Sequence, residues 1–167
     1  MLSFQGDRAS SRWWKVDHCM NDQDKSAIQF GGRALLIEDN AIVAMNVEDM
    51  LRALGFDHVD CAASVEEALR FARTHTYASA IVDVKVKDGD SLPAALVLAA
   101  NGVPLVIASG YGNAALPAGL ENVPCLAKPY GDEELAAALG EARRRMKPAL
   151  YRREFARDLP PPRRNLP

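Results

Sequence analysis

From Arg33 onward, short apolar runs alternate with stretches whose apolar positions recur every three or four residues. The run RALLI (33–37) predicts a first strand. Val43, Val47, Met50, Leu51 and Leu54 then share one stripe of a helix over 41–54, which Gly55 ends. FDHVDCA (56–62) reads as a second, half-exposed strand. Ser64 with Glu67 three residues on is the capping signature of a helix whose inner face is Val65, Ala68, Leu69 and Ala72. YASAIVD (77–83) predicts strand three, followed by a helix over about 91–100, capped by Asp90 or Ser91, with Pro93 tolerated in its first turn. VPLVIAS (103–109) and VPCLAK (123–128) predict strands four and five, and the glycines and proline between them leave room only for a short or irregular helix. The last helix, over 132–147, carries acids in its first turn and Arg143, Arg144 and Arg145 in its last, both favourable to the helix dipole.

Five strands alternating with helices, the strands near-continuous in apolar character, predict a parallel sheet covered on both faces. The expected architecture is a flavodoxin-like (βα)5 three-layer sandwich, strand order 2-1-3-4-5. The flanks differ. Residues 1–32 show no sustained period and read as a mostly disordered extension; RWWK within it is either a floppy leader or a docking segment. Residues 33–147 form the domain, and residues 148–167 an arginine- and proline-rich tail with room for one short helix.

Charge narrows the partners. Residues 33–148 carry 11 basic and 16 acidic side chains. An acidic domain is a poor nucleic-acid ligand, because Lys and Arg on phosphates supply most of that affinity. The tail arginines Arg152, Arg153, Arg157, Arg163 and Arg164 are interleaved with Glu154 and Asp158, the pattern of a solvated tail or of a helix docking on the acidic domain. No apolar run reaches the roughly 20 residues of a membrane helix, and no secretory signal opens the chain, so the cytoplasm is the expected compartment. The odd set Cys19, Cys61 and Cys125 has no CxxC spacing, which argues against disulfides and zinc; Cys61 and Cys125 are expected buried. His18, His58 and His75 share no ligand spacing.

In a parallel sheet of this kind the binding crevice lies beyond the carboxyl ends of the strands. Glu38 and Asp39 follow strand one, Asp83 closes strand three, Ser109 closes strand four and Lys128 closes strand five, all on one rim. Three carboxylates brought together repel unless a cation joins them, and Mg2+, which prefers oxygen ligands and phosphate, suits them. An aspartate nucleophile forming an aspartyl-phosphate is the natural chemistry, with Lys128 and Ser109 addressing the phosphoryl oxygens. Pro129 keeps Lys128 out of helical geometry, through a bond that can be cis.

At these residues the chain resembles the receiver domains of two-component response regulators: LLIEDN with Glu38 and Asp39, AIVD ending at Asp83, IASGYG with Ser109, and KPY with Lys128. The resemblance spans about 33–147. It implies that Asp83 accepts phosphate from a histidine kinase, and that Asp39 and Asp83 bind Mg2+ with Glu38 through water and with the Lys85 carbonyl. It also implies that Ser109 and Lys128 hold the phosphoryl group. PLVIASGYG followed by a glycine-broken segment further resembles the FATGUY subgroup of stand-alone receivers, which partner HWE-type kinases. Ile107 and Ser109 stand where that subgroup has Phe and Thr. The loop after Asp83 lacks the common Met-Pro and has Val86 and Lys87 instead, and the aromatic switch residue of strand five is absent, with Leu126 near its place; Tyr111 is the candidate replacement.

The expected protein is thus a single-domain response regulator, monomer or weak homodimer, whose output is contact with a downstream protein. It is a phosphoacceptor rather than an enzyme, acting at most on its own phosphate. The alternative is a phosphorylation-independent interaction module on the same fold. A DxD-type phosphatase is disfavoured by Lys85, and a flavin site by the acidic loop after strand one, which repels a phosphate.

Overall fold

In the computed structural model, residues 29–110 and 116–146 are described. Tyr111, the RWWK segment and the arginine tail lie outside them. The element order is β1 (Arg33–Ile37), α1 (Ala41–Ala53), β2 (His58–Ala62), α2 (Val65–Thr74), β3 (Ser79–Asp83), the two-residue strands β4 (Lys85–Val86) and β5 (Gly89–Asp90), α3 (Leu92–Ala100), β6 (Leu105–Ser109), β7 (Cys125–Ala127) and α4 (Asp132–Arg145). The main sheet is parallel, in the order β2-β1-β3-β6-β7. That is the expected 2-1-3-4-5 once the small β4–β5 hairpin, which the expected elements do not include, is set aside. The described residues 116–124 contain no helix.

Side chains alternate across a strand, so each central strand feeds two cores. Leu35 and Ile37, Ala80 and Val82, Leu105 and Ile107 face α2 and α3. Ala34 and Leu36, Ile81, Val106 and Ala108 face α1 and α4. Two buried layers explain why the central strands read as unbroken apolar runs.

The edges behave differently. Cys61 on β2 and Cys125 on β7 are exposed, against the expectation of burial. Both are outermost strands of the sheet, where β2 buries only Val59 and Ala62 and β7 buries none of its three residues. An apolar-looking run in an edge strand has less covering it.

The packed fold also reaches back beyond Arg33. Phe30 is buried, stacks on Phe56 with ring centroids 5.4 Å apart, and lies beneath the Arg143 guanidinium at 4.3 Å. Arg143 donates to the Phe30 carbonyl at 2.8 Å as well. This contact ties the entrance of β1 to the end of α4. No helix among the described residues is long and apolar enough to cross a membrane.

Asp60 fastens the edge strand β2 to its neighbours. It accepts from Arg33 (2.9 Å) and from the hydroxyl of fully buried Tyr77 (2.8 Å), with His58 at 3.1 Å. Burial works to raise the Asp60 pKa, but the bonds from Tyr77 and Arg33 outweigh it and hold the carboxyl below its ordinary value. A group with a depressed folded pKa stabilises the fold above its unfolded pKa, here near 3.8, and that contribution is lost as pH falls through the folded value. Tyr77→Phe is therefore expected to cost about 1–2 kcal/mol in urea denaturation, because a part-buried carboxylate loses a donor. The stability gap between the wild type and Asp60→Asn should be full above about pH 4 and shrink on acidification.

Candidate functional site

The rim begins where β1 stops. Glu38 still donates its N–H to the Ala62 carbonyl at 3.0 Å, so it is held as an extension of the strand, and its side chain is buried. Asn40 then turns the chain into α1, its Oδ1 accepting from the N–H groups of Ile42 (3.0 Å) and Val43 (3.3 Å). Glu38 Oε1 accepts the Asn40 N–H at 3.1 Å. The IEDN turn thus fixes Glu38 and leaves Asp39 exposed at the mouth.

Asp83 ends β3, the strand next to β1. Oxygens of Glu38, Asp39 and Asp83 lie within 4.8 Å of one another. A hard donor set of this kind is what a divalent cation such as Mg2+ takes.

Lys128 answers that concentration of charge. Its Nζ donates to Asp83 Oδ2 at 2.6 Å and to Glu38 Oε2. The side chain is only 21% exposed, with Glu38 at 4% and Asp83 at 14%, so these pairs are poorly screened by water. Burial works against the Lys128 charge, yet the bonds to Asp83 and Glu38 outweigh it and raise its pKa above the ordinary lysine value. The Lys128 N–H donates to the Ser109 carbonyl at 3.0 Å, carrying the β6–β7 ladder one residue past Ala127, and the following Lys128–Pro129 bond is cis. Ser109 itself closes β6, between the strands that carry Asp83 and Lys128.

The Lys85 N–H donates to Asp83 Oδ1 at 3.2 Å, while its exposed side chain pairs with Asp90 at 3.4 Å. The structure therefore brings Glu38, Asp39, Asp83 and Lys128 into one cluster, with Ser109 and the Lys85 backbone beside it. Tyr111 falls outside the described residues.

Two residues at the site were not singled out from sequence. Tyr130 packs against the core beside Leu126; burial pushes its phenol up to about 12 against the pull of Lys128, and Glu38 and Asp83 add to the rise. Its signal was the aromatic in KPY, two positions after the lysine. Ser91 holds the N-cap position of α3, one of the two expected caps, but its hydroxyl turns to the Asp83 carbonyl oxygen, and the other, Asp90, makes the capping bond, its Oδ1 taking the Leu92 N–H at 2.9 Å.

No protein-family model matches the chain. It is 29% identical over 111 residues to the transcriptional regulatory protein PdtaR of Mycobacterium tuberculosis, a match covering 64% of this chain and 54% of that protein. The chain thus spans about half the length of the curated relatives it matches. Among solved structures it resembles the receiver domain of the sensor histidine kinase PA1611 from Pseudomonas aeruginosa PAO1, which has a magnesium ion in its active-site cleft. The identity is 29%, the TM-score 0.54, and the match covers 65% of this chain and 94% of that one. It also resembles a CheY-like response regulator receiver domain from Methylobacillus flagellatus, with 26% identity, a TM-score of 0.57, and coverage of 66% and 98%. Sheet order, acidic rim and relatives agree, and the described residues have the fold of response-regulator receiver domains, with an acidic cluster at the rim.

Proposed function

We propose that this protein is a stand-alone response regulator in which Asp83 accepts a phosphoryl group from the phosphohistidine of a histidine kinase, and that the phosphorylated chain acts by contact with a downstream protein. The observation that carries the reading is the rim cluster, three carboxylates and one ammonium converging from β1, β3 and β7. In the transfer, an Asp83 carboxylate oxygen forms the new P–O bond while the P–N bond to the imidazole breaks. The imidazole keeps that electron pair and takes up a proton.

Glu38, Asp39 and Asp83, with the Lys85 carbonyl, are the residues that would hold Mg2+, which neutralises charge on the phosphoryl oxygens when bound. Magnesium in the PA1611 receiver supports this assignment. Lys128, already a counter-ion to Asp83, would pair with a phosphoryl oxygen, and the Ser109 hydroxyl at the end of β6 would donate to another. Residues 33–147 would be the receiver, flanked by extensions at 1–32 and 148–167.

The FATGUY assignment, and with it an HWE-type kinase, rests on the PLVIASGYG motif and on the lack of helix among the described residues 116–124. Ile42 and Met45, 73% and 65% exposed on the first turns of α1, give the rim an apolar neighbour suited to a protein partner.

Incubation with Mg2+ and a small phosphodonor such as acetyl phosphate should add one phosphoryl group by mass spectrometry. The adduct should need Mg2+ and vanish in Asp83→Asn; an adduct that survives this substitution refutes the assignment. Lys128→Met should abolish or strongly slow the transfer. It should also cost about 2 kcal/mol at neutral pH, between the ranges of exposed and buried pairs, because Glu38 and Asp83 are left facing each other. A group with a raised folded pKa stabilises below its unfolded value, near 10.5 for lysine, and loses that contribution as pH rises through the folded value. Denaturation curves of wild type and Lys128→Met should therefore stay apart through neutral pH and converge only above about pH 10.5.

A further inference from the structure

The segment after Asp83 is fastened at its root, along its stem and at its tip. At the root, fully buried Ser91 gives its hydroxyl to the Asp83 carbonyl oxygen and its N–H to the Val84 carbonyl at 3.0 Å. Along the stem, Lys85 pairs with Asp90 and Val86 with Gly89 in the antiparallel β4–β5 hairpin, and Val84 and Val86 are buried in the core shared with α2 and α3. The stem touches the site directly, since the Lys85 N–H donates to Asp83 Oδ1.

The tip lands on another element. Both carboxylate oxygens of Asp88 accept the N–H of Val65, the first residue of α2, at 2.9 and 3.0 Å. Gly89, whose φ of +150° favours glycine, lies so close that an added Cβ would sit 3.7 Å from Val65 Cγ2. The rest of that helix start is capped locally. Ser64 Oγ accepts the Glu67 N–H at 3.2 Å, and Glu67 Oε2 accepts the Ala63 N–H at 3.1 Å. The Val65 N–H is thus the one donor of this turn whose recorded partner comes from the hairpin.

The geometry points to the hairpin as a strap that couples the occupancy of Asp83 to the first turn of α2, making that turn a surface on which the state of the site is presented to a partner. This rests on Asp83 being the phosphoacceptor. Phosphorylation turns the carboxylate into a mixed carboxylic–phosphoric anhydride whose negative charge lies on the phosphoryl oxygens, so the acceptor that the Lys85 N–H now uses changes in charge and position. With two residues per strand the hairpin has few bonds resisting a shift, whereas the buried Val84, Val86 and Ser91 keep it from simply detaching. The displacement is then passed to Asp88 and to the one amide it caps.

The test is amide proton exchange, read by NMR on the full chain with Mg2+, before and after adding beryllofluoride, with the adduct monitored independently by fluorine NMR. In the wild type the Val65 amide should exchange severalfold faster in the adduct while the Glu67 amide, capped by Ser64, stays unchanged. In Asp88→Ala the adduct should still form, but Val65 should exchange rapidly from the start and no longer respond. Asp88→Asn, which keeps one carbonyl acceptor, should preserve part of the response. An adduct that leaves Val65 unchanged in the wild type, or a full response in Asp88→Ala, overturns the coupling alone. Absence of the fluorine signal overturns the phosphoacceptor reading and the coupling with it.

Discussion

The ion pairs of Lys128 with Asp83 and Glu38 are the constraint from which the upper half of this molecule follows. Parallel strands end on one side, so acids placed after β1 and β3 are forced together whatever their side chains prefer. That proximity is unfavourable for the fold and favourable for chemistry, since a cluster of poorly screened oxygens attracts a cation. Lys128 has to come from β7, two strands away from β3 in the sheet, and it does so because the β6–β7 ladder is prolonged to the Ser109 carbonyl. A cation held there keeps the acids tolerable, and it does so from a long, rotatable side chain rather than from a fixed backbone group.

The polar network at the edge formed by β2 and β1 works in the opposite sense. Asp60 is met by Arg33, Tyr77 and His58, a set of donors with no further acid beside it, and it holds an edge strand to its neighbours. One carboxylate with several donors is satisfied; three carboxylates around one ammonium retain affinity for more positive charge. The difference between a structural acid and a functional one is visible in that ratio rather than in burial, since Glu38 is at least as buried as Asp60.

Much of this was legible in the chain. The central strands announced themselves because both of their faces are buried, and β1 was bounded to the residue because Arg33 and Glu38 flank its apolar run. The rim followed from asking what stands after each strand. What failed has physical reasons. Cys61 and Cys125 were judged by their chemistry, but exposure in an edge strand depends on which helices overhang it. Phe30 looked like the end of an extension because its partners, Phe56 and Arg143, are far away in sequence. Of the two caps offered for α3, Ser91 holds the N-cap position and Asp90 supplies the side-chain bond, but nothing local says that the Ser91 hydroxyl serves the Asp83 carbonyl.

The hairpin is the instructive case. VKVKDGD is charged enough to pass for a solvated loop, but Val84 and Val86 alternate with the two lysines and are both buried, a period of two that the charges masked. No aromatic residue stands in β7, where the family resemblance expects a switch, Leu126 being near its place, so a route from the site through β7 would lack its usual moving part. Leu126 still packs against the core that Tyr130 also joins, but it offers no hydroxyl partner and no large ring to reorient. The segment after Asp83, by contrast, is tied to the carboxylate itself by a backbone N–H and to α2 by a second one. Both bonds have a backbone donor, which every residue but proline keeps, so the connection depends on the two acceptor carboxylates, Asp83 and Asp88, rather than on a ring that must reorient.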